Sequence, residues 1–335
     1  MSIDVSIAIT TYNEGEYLDF ILSDIARQEI GDLKIEILLL EAGKYDEARA
    51  KQHLGRFSER LIFIQAPGLS RTASLNQLFE MANGNLIVRL DARSHIDKHY
   101  FQKIYALSRD SGAENVGGVM APIGRTSDQQ LIAEIMRHPL SLGGGKSRNM
   151  AYRGYADSVY LGAFNKEKCR IDGKWFDDIH PKISEDSDLN FRLRKNGGKI
   201  FADSSIVVEY FPREDLKRFF KLCFNYGVGR GLFIIKHRVI SAYRQLAPPI
   251  AALAFATLTI AGFFNILFYY AAVASLCVYL VLVIYAAVSL KKNLAETCKA
   301  FYGFIGCHLF WTIGLLIAPS IYISDLENNT KKSSS

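Results

Sequence analysis

Cysteine is scarce and spaced against metal chemistry. The thiols at Cys169, Cys223, Cys277, Cys298 and Cys307 form no Cys-x-x-Cys pair, which argues against a zinc site and a disulfide framework and for reduced thiols. Charge is missing from residues 245–290, a run without Asp, Glu, Lys, Arg or His. As helix, at ~1.5 Å per residue, the run reaches roughly 69 Å, enough for two crossings of a hydrocarbon core about 30 Å thick. It reads as a transmembrane hairpin. Residues 300–324 hold one ionisable group, His308, and are again long enough to span. No signal peptide is expected, because Met1 leads within a few residues into a strand-like segment.

What remains is ample for an enzyme. The 335 residues allow about two domains, and the part before residue 245 mixes charged and apolar groups as a globular domain does. Lys236, Arg238 and Arg244 precede the first apolar span, and Lys291, Lys292 and Lys299 separate the second from the third, while the turn near Asn265 is uncharged. By the positive-inside rule both observations put the large domain in the cytoplasm. Lys331 and Lys332 would then end outside, against the rule, so a third segment that re-enters near Pro319 stays open. The net charge of +6 comes largely from residues beside the membrane segments. Anionic lipid explains them, and no nucleic-acid partner is expected.

The amino-terminal part alternates strand and helix signals. Val5-Ser6-Ile7-Ala8-Ile9 reads as a short strand, and Asn13 as the cap of a helix carrying Leu18, Ile21, Leu22 and Ile25 at helical spacing. Residues 35–40 and 61–65 read as further strands, 75–82 as a helix closed by Asn83-Gly84, and 86–90 as a fourth strand. This order argues for an α/β domain with a mostly parallel sheet. Ligands of such sheets bind beyond the carboxyl ends of the strands, where Thr11, Tyr12, Glu14, Glu41 and Asp91 fall.

On these residues the chain resembles the family 2 glycosyltransferases, inverting enzymes of the GT-A nucleotide-diphospho-sugar transferase fold. The resemblance covers roughly residues 3–230. It rests on Thr11-Tyr12-Asn13-Glu14, Glu41-Ala42-Gly43 with Asp46, the segment 68–76, Asp91-Ala92-Arg93, and Glu185-Asp186, in that order. Asn115-Val116-Gly117-Gly118-Val119-Met120, residues 186–194 and Tyr210-Phe211-Pro212-Arg213 are similar to succinoglycan-type exopolysaccharide transferases, which also carry a membrane tail. The Gln-x-x-Arg-Trp motif of processive synthases is absent where Asn225-Tyr226-Gly227-Val228-Gly229-Arg230 stands, which disfavours a cellulose-type synthase.

The resemblance implies roles residue by residue. Thr11, Tyr12, Glu14 and Glu41 would meet the nucleotide, Tyr12 packing on the base and Glu41 accepting from it. Glu41 stands where the family usually has Asp. Arg71 would face the nucleotide or the solvent. Asp91 matches the first Asp of the diphosphate motif, but Arg93 replaces the second, and a guanidinium pairs with phosphate rather than with a metal. Either Asp91, with His95 as a further ligand, holds Mg²⁺ or Mn²⁺, or Arg93 takes part of the metal's role. Asp186 is the expected general base, with Glu185 beside it on the acceptor side. The alternative is that these acids merely favour a helix start. Gly143-Gly144-Gly145-Lys146-Ser147-Arg148 lacks the Walker spacing. It reads either as an acceptor-side loop presenting Lys146 and Arg148 to a lipid diphosphate or as plain surface.

The expected organisation is a cytoplasmic transferase domain over residues 1–212, interfacial amphipathic helices over 213–244, about three transmembrane helices over 245–324 and a flexible tail over 325–335. Leu216, Phe219, Phe220, Cys223 and Phe224 share a helix face opposed by Lys217 and Lys221, which suits a membrane surface or a buried core. The expected activity is transfer of a sugar, hexosyltransferase in type, from a nucleotide donor, UDP-linked by expectation, to a polyprenyl-linked saccharide at the inner membrane. A polyprenyl-phosphate sugar synthase and a catalytically silent nucleotide-sugar-binding subunit are the alternatives.

Overall fold

A computed structural model describes residues 2–177, 184–240 and 243–333. In chain order the elements are β1 (Val5–Thr11), α1 (Gly15–Ala26), β2 (Ile35–Glu41), α2 (Glu47–Leu54), β3 (Leu61–Gln65), α3 (Arg71–Met81), β4 (Leu86–Asp91), β5 (Ser94–Ile96), α4 (Tyr100–Ser111), β6 (Asn115–Pro122) and α5 (Ser127–Arg137). They continue through β7 (Arg153–Tyr155), β8 (Tyr160–Asn165), α6 (Lys166–Cys169), α7 (Glu185–Lys195), β9 (Ile200–Tyr210), α8 (Leu216–His237), α9 (Ala247–Gly262), α10 (Ile266–Ser289) and α11 (Leu294–Ser333). The chain divides into two compact units, Met1–Ile123 with Gly144–Phe211, and Gly124–Gly143 with Pro212–Ser335.

The first unit is built on one sheet ordered β3-β2-β1-β4-β8-β6-β9-β5, with β7 beside β9. β1, β2, β3 and β4 pair in parallel, with β1, β2 and β4 carrying the buried apolar runs of such a sheet and β3 at its partly exposed edge. Within this mostly parallel sheet, β8 inserts between β4 and β6 and runs antiparallel to both, so the sheet as a whole is mixed. Ile7, Ile9, Leu18, Ile21 and Leu22 pack one buried layer, and Leu38, Leu40, Leu75, Leu78 and Phe79 the other. β1 lies between β2 and β4, so the loops after these strands gather at one edge, where parallel α/β sheets bind ligands.

The expected cap at Asn13 is corrected. Glu14 occupies the cap position of α1; Asn13 has a φ of 54°, and its Oδ1 accepts from Lys44 N at 3.1 Å. Its side chain ties the loop after β1 to the loop after β2.

In the second unit, α8 packs along α11. A Cβ on Gly227 would meet Trp311 O at 2.2 Å, one on Gly231 would meet Ala318 Cβ at 2.3 Å, and one on Gly306 would meet Phe220 at 2.2 Å. The paired numbers rise together, so the two helices run parallel in close contact through small residues. The apolar face holding Phe219, Phe220 and Cys223 is buried, and Cys223 Sγ lies 3.4 Å from Cys307 Sγ on α11. Three segments are long and apolar enough to cross a membrane: Tyr243–Gly262, Ile266–Ser289 and Leu294–Ser324. α11 continues as one helix through Pro319 instead of folding back there. His308 is bonded on both ring nitrogens, to Tyr279 Oη at 3.1 Å and to Leu140 O at 2.6 Å.

The sequence suggests one boundary near residue 212, yet Gly124–Gly143 clusters with the carboxy-terminal helices. Asp128 pairs with Lys299 at 2.6 Å and Glu134 with Lys292 at 3.0 Å, and a Cβ on Gly303 would meet Ile135 at 2.6 Å. If close approach holds α8 to α11, Gly227→Val should destabilise the full chain in detergent by about 2 kcal/mol. Thermal unfolding measures it; an unchanged midpoint would show that the helices part without cost.

Candidate active site

Hydrogen bonding begins the site at the ends of β1 and β2, where Thr11 and Glu41 face each other in register. Glu41 is fully buried. Its Oε1 accepts from Asn13 N at 3.2 Å and Gly43 N at 2.6 Å, which draws the two loops together. Gly43 is required there, since a Cβ would meet Asn13 Oδ1 at 2.3 Å and Glu41 Oε1 at 2.5 Å. Thr10 Oγ1, Thr11 Oγ1 and Glu41 Oε2 are buried with no hydrogen-bond partner among the described residues. Three orphaned polar atoms at two strand ends are unusual in a settled structure, and they suit a ligand that brings its own donors. Tyr12 beside them is 66% exposed.

A charged network forms the centre. Successive strand side chains alternate faces, so Arg89 and Asp91 share one face of β4. Asp91 Oδ1 accepts from Arg71 Nη2 at 2.8 Å and Arg89 Nε at 3.3 Å. Glu185, the buried first residue of α7, takes Arg71 Nε at 3.0 Å and Arg89 Nη2 at 2.9 Å on its Oε1. Two guanidiniums thus bind two carboxylates from three elements, α3, β4 and α7. Asp186 follows Glu185, and its Oδ1 accepts from Ser187 N at 2.9 Å.

Electrostatics separate these acids. Burial would raise the Asp91 carboxyl, but Arg71 and Arg89 outweigh it and hold it at about 2. Burial also opposes ionisation of Glu185, and Arg89 and Arg71 keep it below its usual range. Burial and the neighbouring Glu185 charge push Asp186 up instead, against the pull of Arg89 and Arg71. Adjacent carboxylates driven in opposite directions are a common arrangement for acid–base work.

A second cluster holds the other motif residues. Arg93 Nε donates to Glu14 Oε2 at 2.7 Å, and its guanidinium lies over the Tyr17 ring at 4.1 Å. Phe211 N donates to Arg93 O at 2.9 Å, and Ser94 Oγ closes the turn onto Asp91 O. His95 is directed elsewhere: its Nδ1 lies 2.5 Å from Asp24 Oδ2 on α1, and its Nε2 is 3.9 Å from Glu209. It does not join Asp91 as the expected second ligand, because β5 pairs with β9 and turns the ring toward α1. Arg148 lies in a one-turn 3₁₀ segment, Lys146–Arg148, its N donating to Gly145 O at 3.0 Å. Lys146 Nζ donates to Tyr155 O at 3.2 Å.

The structure therefore joins Arg71, Asp91 and Glu185, with Asp186 next to them, joins Glu14 with Arg93, and sets His95 apart. Sequence reasoning missed Arg89. The available signal was an arginine inside an apolar strand, two residues before a motif acid. Among the described residues no three His, Cys, Asp or Glu side chains are grouped to hold a metal ion. With Arg93 in the second motif position, the donor set among the described residues offers Asp91 alone, which fits a divalent ion only where phosphate oxygens and water complete its shell.

Residues 6–165 match the model of glycosyl transferase family 2. Succinoglycan biosynthesis protein ExoA of Rhizobium meliloti is 25% identical over 256 residues, 75% of this chain and 77% of that protein. The dolichyl N-acetyl-alpha-D-glucosaminyl phosphate 3-beta-D-2,3-diacetamido-2,3-dideoxy-beta-D-glucuronosyltransferase of Methanococcus voltae is 25% identical over 242 residues, 69% and 74% of the two chains. The mannosyltransferase PcManGT from Pyrobaculum calidifontis, solved with GDP-Man and Mn²⁺, has the same fold, with a TM-score of 0.61 at 14% identity over 95% of this chain and 87% of that one.

The network carries a stability prediction. Since the Asp91 carboxyl is depressed from 3.8 to about 2 in the folded chain, its contribution is complete above pH ~4 and is lost as pH falls through about 2. It amounts to something on the order of 2 kcal/mol. Denaturant unfolding should show Asp91→Asn less stable than the native chain at pH 6, with the gap closing below pH ~4; a gap independent of pH would count against these ion pairs.

Proposed function

We propose that this chain, whose residues 6–165 match the glycosyl transferase family 2 model, is an inverting glycosyltransferase that moves a sugar from a nucleotide-diphosphate donor to a lipid-linked saccharide. The observation that carries the reading is the network in which Arg71 and Arg89 compensate Asp91 and Glu185 while Asp186 is raised. A base working near neutral pH gains from such a rise, because its conjugate acid then holds the abstracted proton.

In this mechanism the acceptor hydroxyl oxygen forms a bond to the anomeric carbon as Asp186 takes its proton. The bond from that carbon to the donor diphosphate breaks, and the nucleoside diphosphate leaves with the electron pair. Tyr12, Thr11 and Glu41 would receive the base. Arg71, partly exposed at the rim of the network, and Arg93 would face charge developing on the diphosphate. A divalent ion, Mg²⁺ or Mn²⁺, held by Asp91 together with phosphate oxygens would supply further positive charge there.

A lipid-linked acceptor is supported by the three apolar helices in the same chain and by the name of the methanococcal relative, which specifies a dolichyl phosphate-linked sugar. ExoA, named for succinoglycan biosynthesis, supports polysaccharide assembly. Lys236, Arg238, Lys291 and Lys292 beside the apolar segments favour an inner-membrane protein with its catalytic unit in the cytoplasm. Arg148 would lie on the acceptor side, and Glu185, buried on Arg71 and Arg89, would serve that side through Asp186.

The test is nucleotide release by the purified full chain in lipid, across a panel of UDP- and GDP-sugars with lipid-extract acceptor, with and without Mn²⁺ or Mg²⁺. Asp186→Asn is expected to lower transfer by at least about 100-fold, and the acid limb of kcat/KM should lie above the ordinary Asp value of 3.8. Transfer to bare polyprenyl phosphate that survives Asp186→Asn would favour a polyprenyl-phosphate sugar synthase. Nucleotide binding without turnover on any acceptor would favour a silent subunit.

A further inference from the structure

We infer that Arg89 is a positioning residue: its one buried guanidinium ties Asp91 on β4 to Glu185 on α7 and so fixes the helix turn that presents Asp186. The inference rests on the reading of Asp186 as the base. Arg89 is 7% exposed and reaches Glu185 Oε1 at 2.9 Å and Asp91 Oδ1 at 3.3 Å. It extends from β4 opposite Ala8 of β1, one residue beyond Val88, where the pairing with β8 ends, so its backbone is anchored in the sheet. Arg71 makes the same two connections from the first residue of α3, but it is about one-third exposed.

α7 needs such a tie at its start. Ser184 at the cap has a φ of 70° and its side chain makes no capping bond. Further along, Asn190 is anchored to Asn115 at 2.7 Å and Ser158 at 3.1 Å, so the helix body has its own attachment to the sheet side. The first turn is tied to α3 and β4 through Glu185, and Asp186 is the next residue. The groups facing this turn are Arg71 from α3, Arg89 and Asp91 from β4, and Glu185 itself, two cations for three acids once Asp186 is counted; Asp188, the third acid of the turn, is paired within α7 with Arg192 at 2.9 Å. Without Arg89, one partly exposed arginine would serve all three, and Glu185 would lose its buried partner.

The experiment compares Arg89→Met, Arg89→Lys and Glu185→Gln in the full chain, in lipid. Amide hydrogen exchange over residues 185–190 should quicken by at least about tenfold in Arg89→Met, with β1 and β2 unchanged and Arg89→Lys intermediate. A displaced base should cost kcat about 100-fold while donor KM moves less than about threefold. In a Glu185→Gln background, Arg89→Met should add less than about threefold, because both changes cut the same connection. Unchanged exchange at 185–190, parallel loss of donor affinity, or independent multiplication of the two effects would overturn the inference. If Arg89→Met does not fold, Arg89→Lys and Glu185→Gln carry the same comparisons. A native chain without turnover refutes the reading of Asp186, and the exchange data then judge the Arg89 tether alone.

Discussion

Compensation of buried charge is the constraint on which the candidate site depends. Asp91 and Glu185 are drawn into the protein at the junction of β4, α3 and α7, and each is tolerable there because Arg71 and Arg89 both reach it. Breaking a buried ion pair by removing one member typically costs about 3–5 kcal/mol, so the three elements are held in one arrangement. The same compensation separates the acids chemically, lowering Asp91 and Glu185 and leaving Asp186 raised.

The sheet makes this network possible. Parallel pairing of β2, β1 and β4 brings their carboxyl ends to one edge, where Glu41 closes two loops and three polar atoms have no partner among the described residues. Thr11 and Asp91 lie at the ends of adjacent strands, with Thr10 opposite Asp91 in register. A nucleotide bound across these ends would meet the orphaned atoms on one side and the arginines on the other. Arg93, in the second motif position, is compensated by Glu14 and stacked on Tyr17, so the motif carries a cation where a second ligand acid is usual.

The helical unit follows different physics. α8 and α11 approach closely through Gly227, Gly231, Gly306 and Ala318, a device that works without a hydrophobic driving force. α9 and α10 leave large apolar side chains such as Leu253, Ile260, Leu267 and Tyr270 exposed, as a lipid-facing surface would require. His308, the one His, Lys, Arg, Asp or Glu among residues 300–324, has both nitrogens bonded, which lowers the cost of burying it.

The sequence by itself determined the α/β order, the strand ends, the motif acids and the apolar segments, because hydrophobic period and local turn chemistry are written within short windows. It did not reveal that Asn13 bridges two loops, that His95 turns to Asp24, or that Gly124–Gly143 belongs with the carboxy-terminal helices. Those outcomes depend on strand pairing and on contacts between residues up to 171 positions apart, such as Asp128 with Lys299. Arg89 lay in plain view as a charge in an apolar strand. Only the fold, by carrying Glu185 across to β4, decided that it would share its guanidinium between two acids and that Asp186 would be left raised beside them.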